Sequence, residues 1–468
     1  MSVSVSNVAR TPYLDVPNAV LESGDAMHVR NTWTRTASLT FLCISLAAPT
    51  WCQTFGGIER DRAQSMLREI AADVKKHYYD PKYHGLDWES KVRETKQLID
   101  QADSTNKALS LIAALLDSLN DSHTFFLPPR HTSLPDYGWK AQMIGDHCYV
   151  THVRPGSDAE SKGLKAGDEI LALNGYRPTR ENFWTMEYVL DTLRPQPALR
   201  LNLRDPSGKQ RTLDIATRFK ELKHVLDFTG GGSGGDIWDW VRESENDEHW
   251  ERVRAVEMGD ELMILKVPGF NSTDSEIDSM IGKARKHKTL IVDLRENGGG
   301  DVDTLKYLLG GMFEKEIKIG DRVGRSERKP VIAKRRGSRF EGKLVVLVDS
   351  QSASASEVFA RVVQIEQRAI VLGDLSSGSV MEARHYSYKA GVDRVVFYGA
   401  SITDADIIMT DGKSLEHAGV TPDEVLLPTA GDIANNRDPV LALAADLAGV
   451  KLSPEAAGKL FPYEWPPQ

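Results

Sequence analysis

The sequence predicts a multidomain α/β protein with a helical N-terminal region, a β-rich middle module and a larger α/β domain in the C-terminal half. Three observations carry that expectation. Apolar residues recur at helical spacing between about residues 58 and 119. Short β-like runs separated by turn residues occupy 136–217, and from about Val253 apolar runs alternate with helix-like segments. The 468 residues suffice for two to four domains and a large core. Hydrophobic content of 41% and charged content of 27% are those of a globular protein. The net charge of −9 is scattered and argues against nucleic acid as the main partner.

Residues 1–52 read as an export signal. "MHVRNTWTRTASLTFLCISLAAPTWCQ" begins at Met27, which makes residues 1–26 upstream of the expected start. Arg30 and Arg35 precede an apolar stretch, from about Ala37 to Ala48, that is too short to span a bilayer and is followed by small residues. The expected address is periplasmic or extracellular. Cleavage near Cys52 or Gln53 would leave Cys148 alone, so no internal disulfide framework is expected.

The region 53–135 reads as helical. In "ERDRAQSMLREIAADVKKHYYD", Met66, Ile70, Val74 and Tyr78 recur every four residues between charges, the mark of an amphipathic helix. "DWESKVRETKQLIDQA" and "NKALSLIAALLDSLN" repeat the pattern, the latter through Leu109, Ile112, Leu116 and Leu119. The third helix is expected to stop within "NDSHTFFLPP", where two prolines forbid continuation. His123 therefore falls just past a helix end, where a structural cap and a catalyst are both open readings.

From 136 to 217, "HCYVTHV", "EILALNG", "LRLNLRD" and "QRTLDIAT" read as strands. The intervening "RPGSDAESKGLKAGDEILALNG" resembles a PDZ domain over about twenty residues. That resemblance implies a groove that takes an extended peptide by strand addition and holds its C-terminal carboxylate on backbone N–H groups. It locates the carboxylate loop near "YGWKA", at Tyr137, Gly138 and Trp139, although Trp139 and Lys140 depart from the usual small apolar loop. A PDZ fold that only packs between domains is the competing reading.

The last large unit is expected over 218–427, entered through a flexible linker, "GGGSGG" at 230–235, and followed by a tail, 428–468. "LMILKVPGF", "TLIVDLREN", "KLVVLVDS" and "AIVLGD" read as strands, "SEIDSMIGKARKH" and "SEVFARVVQIEQ" as helices. In "KLVVLVDSQSASASEVFARVV" a buried strand turns through small residues into a helix, which exposes a hydroxyl at a tight elbow and aims free N–H groups at it. Taken alone, Ser354-Ala-Ser-Glu357 is equally a capping box. Three consecutive glycines, Gly298, Gly299 and Gly300, end "TLIVDLRENGGG" and exceed what a simple turn requires.

"DLRENGGG", "DSQSASASE" and "SLEHAGVTPDE", in this order after a PDZ pattern, resemble the family of C-terminal processing peptidases and tricorn proteases, from about Ile58 to Leu427. The resemblance implies a ClpP/crotonase-like catalytic domain and a serine endopeptidase acting on proteins or peptides. It implies Ser354 as nucleophile, with Ser352 and Ser356 as turn and cap residues. It also implies oxyanion donors from Gly299 or its neighbour Gly298, and from Ala355, where a Cβ would block a close N–H. One branch of the family uses a lysine within a pattern like "GEPTFGKG". This chain has "GDLSSGSV" at 373–380, with Ser379 at the matching position, and Lys389 and Lys413 lie outside it. The tricorn-like branch uses a Ser-His pair and a late glutamate, which correspond to Ser122, His123 and Glu416. His123 would be general base and then acid, with Ser122 and Glu416 orienting it. No zinc-type spacing and no phosphate-cradling loop is visible, so no metal or cofactor is expected. A catalytically silent binding homologue and a Ser-Lys peptidase remain the alternatives.

Overall fold

The computed structural model describes residues 55–221, 252–391 and 395–465. The segment expected as an export signal, with Cys43 and Cys52, and the expected linker at 230–235 lie outside the described residues. Helices α1 (Gly57–His77), α2 (Trp88–Asp100) and α3 (Thr105–Asp117) form the N-terminal unit. Met66, Ile70, Val74 and Tyr78 are buried along one face of α1, and Leu109, Ile112 and Leu116 along one face of α3. Asp87 and Ser104 cap α2 and α3 by accepting the backbone N–H three residues on. Helix α3 ends at Asp117, well before the prolines at 128 and 129. The chain leaves it through Asn120 in the left-handed region, at φ 55°, a conformation that asparagine tolerates.

Strand β1 (Phe125–Leu127) follows, and β2 (Ser133–Asp136) pairs antiparallel with the later β8 (Arg218–Glu221). Between them β3 (Trp139–Ile144), β4 (His147–Val153), β5 (Glu169–Leu173), β6 (Ala198–Arg204) and β7 (Gln210–Ala216) form one antiparallel sheet in chain order. Short helices α4 (Asp158–Ser161) and α5 (Phe183–Tyr188) accompany it. Strand β3 lies at the edge of this sheet.

The C-terminal half holds a six-stranded sheet of β9 (Arg254–Met258), β10 (Leu262–Lys266), β11 (Thr289–Asp293), β14 (Lys343–Val348), β15 (Ala369–Gly373) and β18 (Glu424–Val425), in the order β18-β15-β14-β11-β10-β9. All its pairings are parallel except β9 with β10. Strands β10 and β11 are buried at every position, because helices such as α6 (Asp274–Ala284), α7 (Val302–Gly310) and α8 (Ala355–Ile365) cover one face and α10 (Pro439–Leu447), after the short α9 (Ala430–Ala434), packs on the other. A second sheet, in the order β1-β17-β12-β13 with β16 on β17, combines β12 (Ile317–Gly324), β13 (Arg328–Ala333), β16 (Met381–Ala390) and β17 (Val396–Met409) with β1 from the N-terminal unit. The register Phe125↔Ser401 ties the turn carrying His123 to the C-terminal half. No helix among the described residues is long and apolar enough to cross a membrane.

Candidate active site

Three loops leave the carboxyl ends of adjacent parallel strands: 294–300 after β11, 349–354 after β14 and 374–380 after β15. In open α/β sheets that edge is where ligands bind. The second loop makes a tight elbow into α8, with Ser354 at φ 54° and ψ −119°. A non-glycine residue in that region is strained and persists only where its surroundings over-determine it. Here they do. The Ser354 N–H donates to the Ser379 carbonyl at 2.8 Å and to Glu357 Oε2 at 3.1 Å, and its carbonyl accepts the Glu357 N–H at 3.0 Å.

The neighbouring serines have a different fate. Ser352 donates to the Leu294 carbonyl at 2.8 Å and accepts the Asp349 N–H at 2.9 Å, while Ser356 donates to the Asn297 carbonyl at 2.9 Å. Both are fully buried and stitch the elbow to the glycine loop; Ser354 is only half-buried.

The glycine loop is anchored below by ions. Arg295 pairs with Asp293 at 2.7 Å and with Asp438 at 2.8 Å, and Lys266 lies 3.7 Å from Asp293. Burial alone would raise the Asp293 carboxyl, but the Arg295 and Lys266 charges outweigh it and hold the group at about 2. Above these ions, Gly299 has φ +107°, and a Cβ on it would sit 2.6 Å from the Ser354 Cβ and 3.1 Å from the Ala355 nitrogen. The bare backbone thus abuts the elbow. The Gly299 N–H itself donates to Asn297 Oδ1 at 2.8 Å. By contrast, the N–H groups of Gly298 and Ala355 meet no acceptor among the described residues. Gly298 is exposed and has open space where a Cβ would stand.

Ser122, His123 and Glu416 come together across 294 positions. Ser122 donates its N–H to Glu416 Oε1 at 2.7 Å and its hydroxyl to Oε2 at 2.9 Å, and Ser122 Oγ lies 2.7 Å from His123 Nδ1. Since the Ser122 proton goes to the carboxylate, its oxygen is left to accept from Nδ1–H, which puts the imidazole lone pair on Nε2. Burial lowers the His123 pKa, opposed by the Asp121 charge and aided by His385, so the ring is held toward its neutral form. Burial raises the Glu416 pKa, against the pull of its Ser122 and Val380 hydrogen bonds. No hydrogen bond joins His123 to Ser354 among the described residues; apart from substrate such contacts are often long. The halves meet instead through backbone: Ser379 holds Ser354, and the next residue, Val380, donates its N–H to Glu416 Oε2 at 2.9 Å.

Sequence reasoning missed the supporting groups. Asp121 Oδ1 accepts the N–H groups of His123 and Thr124, at 3.0 and 2.8 Å, and shapes the turn. An Asp two residues before a candidate base, after a helix end, was the available signal. Asp349 accepts the N–H groups of Glu296, Gln351 and Ser352 at 3.0–3.1 Å, which joins the two loops. Lys389 and Lys413 are exposed.

At the middle sheet, Gly138 has φ +73° and packs on Ser157, its N–H donates to Asp136 Oδ1 at 3.0 Å, and the Tyr137 hydroxyl donates to the Leu190 carbonyl at 2.8 Å. Trp139 opens the edge strand β3. The far end of β3 touches the elbow: Gln142 Nε2 donates to Asp349 Oδ2 at 2.6 Å, and the Ser350 hydroxyl donates to the Met143 carbonyl. Arg180 adds bonds to Asp374 at 2.5 Å and to the Leu375 carbonyl at 2.9 Å.

Three family models match the chain: Peptidase family S41 over 261–426, the Tricorn protease C1 domain over 60–114 and a PDZ domain over 135–203. A tail-specific protease of Haemophilus influenzae is 24% identical over 403 residues, which cover 78% of this chain and 54% of the relative. The chain therefore spans about half the length of that relative. A C-terminal processing peptidase, chloroplastic, of Tetradesmus obliquus is 25% identical over 430 residues, covering 85% of this chain and 82% of the relative. Among solved structures, mature CPAF superposes with a TM-score of 0.60 at 16% identity, covering 80% of this chain and 94% of that one, a likeness of fold.

Proposed function

We infer that this chain, matched by models of the Tricorn protease C1 domain, a PDZ domain and Peptidase family S41, is a peptidase of the C-terminal processing and tricorn type. From that premise we propose that it is a serine endopeptidase hydrolysing peptide bonds in proteins or peptides, with Ser354 as nucleophile and His123 as general base. The observation that carries the reading is the continuous bonded path Glu416–Ser122–His123, with its imidazole lone pair on Nε2, linked through the Ser379–Val380 backbone to a strained, half-buried serine.

In this reading Nε2 of His123 takes the Ser354 proton as Oγ attacks the scissile carbonyl. Charge on the imidazolium is offset through Nδ1–H, the Ser122 hydroxyl and the Glu416 carboxylate, with the Nδ1 and Ser122 protons staying on their own atoms. The unpaired N–H groups of Gly298 and Ala355 receive the oxyanion, while Gly299 supplies the close approach. His123 then protonates the leaving amine, and water, deprotonated by the same nitrogen, releases the acyl group.

We take the units as an N-terminal unit over 53–135, a PDZ domain over 136–217 and a peptidase domain from 218. The segment 428–468, expected as a tail, instead packs through α10 on the six-stranded sheet and places Asp438 against Arg295, so it adds to the peptidase unit beyond 427. The PDZ domain adds an extended substrate segment along the free edge of β3, in register with a path toward Ser350 and the elbow. The Asp136 carboxylate on the Gly138 N–H competes with a substrate C-terminus for that donor, so strand addition rather than carboxylate capture carries the affinity. The protein works after export, in a periplasmic or extracellular setting.

The test is a fluorophosphonate probe with the wild type and Ser354→Ala. A covalent adduct mapped to Ser354 and lost in the variant, together with lost peptidase activity, is expected. A folded wild type that neither labels nor cleaves would identify a silent binding homologue.

A further inference from the structure

Glu357 lies three residues past Ser354 in the first turn of α8 and is fully buried. Its carboxylate takes four donors: the Ser376 hydroxyl at 2.6 Å and the N–H groups of Gly378, Ser379 and Ser354 at 2.8, 2.9 and 3.1 Å. No cation pairs with it among the described residues. A helix cap would account for the Ser354 bond alone. The other three donors belong to a different segment, residues 376–379, which continues into both halves of the candidate site. The Ser379 carbonyl accepts the Ser354 N–H at 2.8 Å and Val380 N–H holds Glu416 at 2.9 Å. The same segment accepts the His417 N–H on the Gly378 carbonyl at 2.7 Å and the Val420 N–H on Ser376 Oγ at 2.6 Å, which locks the loop carrying Glu416.

We propose that Glu357 is a positioning residue of the active site: by pinning residues 376–379 to the N-terminus of the nucleophile helix, it sets Ser354 and the Glu416–Ser122–His123 relay at a working separation. The proposal rests on Ser354 being the nucleophile. Chemistry explains the choice of residue. Four converging donors need a group that only accepts, and an ionised carboxylate at a helix N-terminus is that group. A glutamine of the same shape would turn an amide NH₂ toward N–H groups that can only donate. Burial pushes the Glu357 carboxyl up and the four hydrogen bonds pull it back, and the balance leaves it at about 7, so its hold on residues 376–379 rests on those four donors. Among the described residues no side-chain hydrogen bond joins Ser354 to Ser122, His123 or Glu416, whereas the 376–380 backbone, held by Glu357, is bonded to both sides.

The experiment compares Glu357→Gln with wild type in the full chain on a short chromogenic peptide, with active sites counted by exhaustive fluorophosphonate labelling. A displacement of about 1 Å at the reacting groups costs roughly 100-fold, so kcat per labelled site should fall about 100-fold while KM stays within about threefold. The rate of phosphonate labelling should slow in proportion. A variant that melts earlier yet keeps wild-type kcat per labelled site would make Glu357 a structural cap and overturn the proposal. If Glu357→Gln does not fold, Ser376→Ala decides, because it removes one donor: a loss of about tenfold in kcat at constant KM is expected, and wild-type kcat overturns the proposal. Mapping the wild-type adduct separates the two levels. An adduct away from Ser354 refutes the nucleophile itself, whereas an adduct on Ser354 with an unaffected Glu357→Gln refutes only the positioning role.

Discussion

The two halves of the candidate site are built by opposite means. On the nucleophile side the work is done by backbone within one parallel sheet: a left-handed Ser354, a glycine whose missing Cβ admits the elbow, and buried serines bonded to carbonyls. On the base side it is done by side chains drawn from both ends of the chain, with Ser122 and Glu416 separated by 294 positions. The first half tolerates almost no change of shape. The second tolerates little change of proton inventory, since Glu416 only accepts, His123 Nδ1 only donates and Ser122 Oγ must do both.

Predictions sharpen that contrast, beginning with the proton inventory. His123→Ala should lower single-turnover acylation by about 10²–10⁴-fold, the ordinary contribution of a positioned base, with the melting temperature nearly unchanged. Near wild-type acylation would break the comparison, because the base side would then be ornamental to Ser354.

The shape side responds to a methyl group. Gly299→Ala adds a Cβ 2.6 Å from the Ser354 Cβ at a φ of +107°, so either the elbow or the loop must move. Activity should fall by about 100-fold, and calorimetry should register a loss of about 1–3 kcal/mol. Gly298→Ala, one residue away in open space, keeps its N–H and should change either quantity by less than about threefold or 1 kcal/mol. Equal damage at both positions would mean that close approach is not what the glycines provide.

The pH profile reads the base side directly. A histidine base works when neutral, and burial lowers the His123 pKa. The acid limb of kcat/KM should therefore lie below the unperturbed ~6.5 and activity should persist as pH falls toward that limb. A lysine base starts from ~10.4, and only strong desolvation could bring its limb near neutrality. A limb above neutrality would favour the lysine alternative. Glu416→Gln should weaken kcat by disturbing the relay that fixes the Nδ1 proton, with a smaller effect than His123→Ala.

The smallest effect is expected outside both halves. Lys389→Ala and Lys413→Ala, both at exposed positions, should leave acylation within about twofold of wild type, since surface charges rarely contribute more than ~0.5 kcal/mol. A dead lysine variant alongside an active His123→Ala would replace the relay by a dyad.

Much of this protein was written in its sequence. The apolar spacing of Met66, Ile70, Val74 and Tyr78 fixes the buried face of α1, and the runs around Leu290–Val292 and Leu344–Val348 mark the strands of the parallel sheet. The motifs at 293–300, 349–357 and 414–424 carry the family resemblance, because local chemistry there is dense and contiguous. The second sheet was not read: β12, β13, β16 and β17 carry charges and tyrosines on a half-exposed face, which blurs the alternation that marks a strand. Nor could spacing along the chain decide which neighbours share a hydrogen bond. Whether Ser122 reaches Glu416, whether Gly299 or Gly298 has a free N–H and what Glu357 holds depend on contacts between segments far apart in sequence. A side chain's type states what it can donate or accept. Only the packed fold brings the partner within 3 Å and so decides which of those bonds is made.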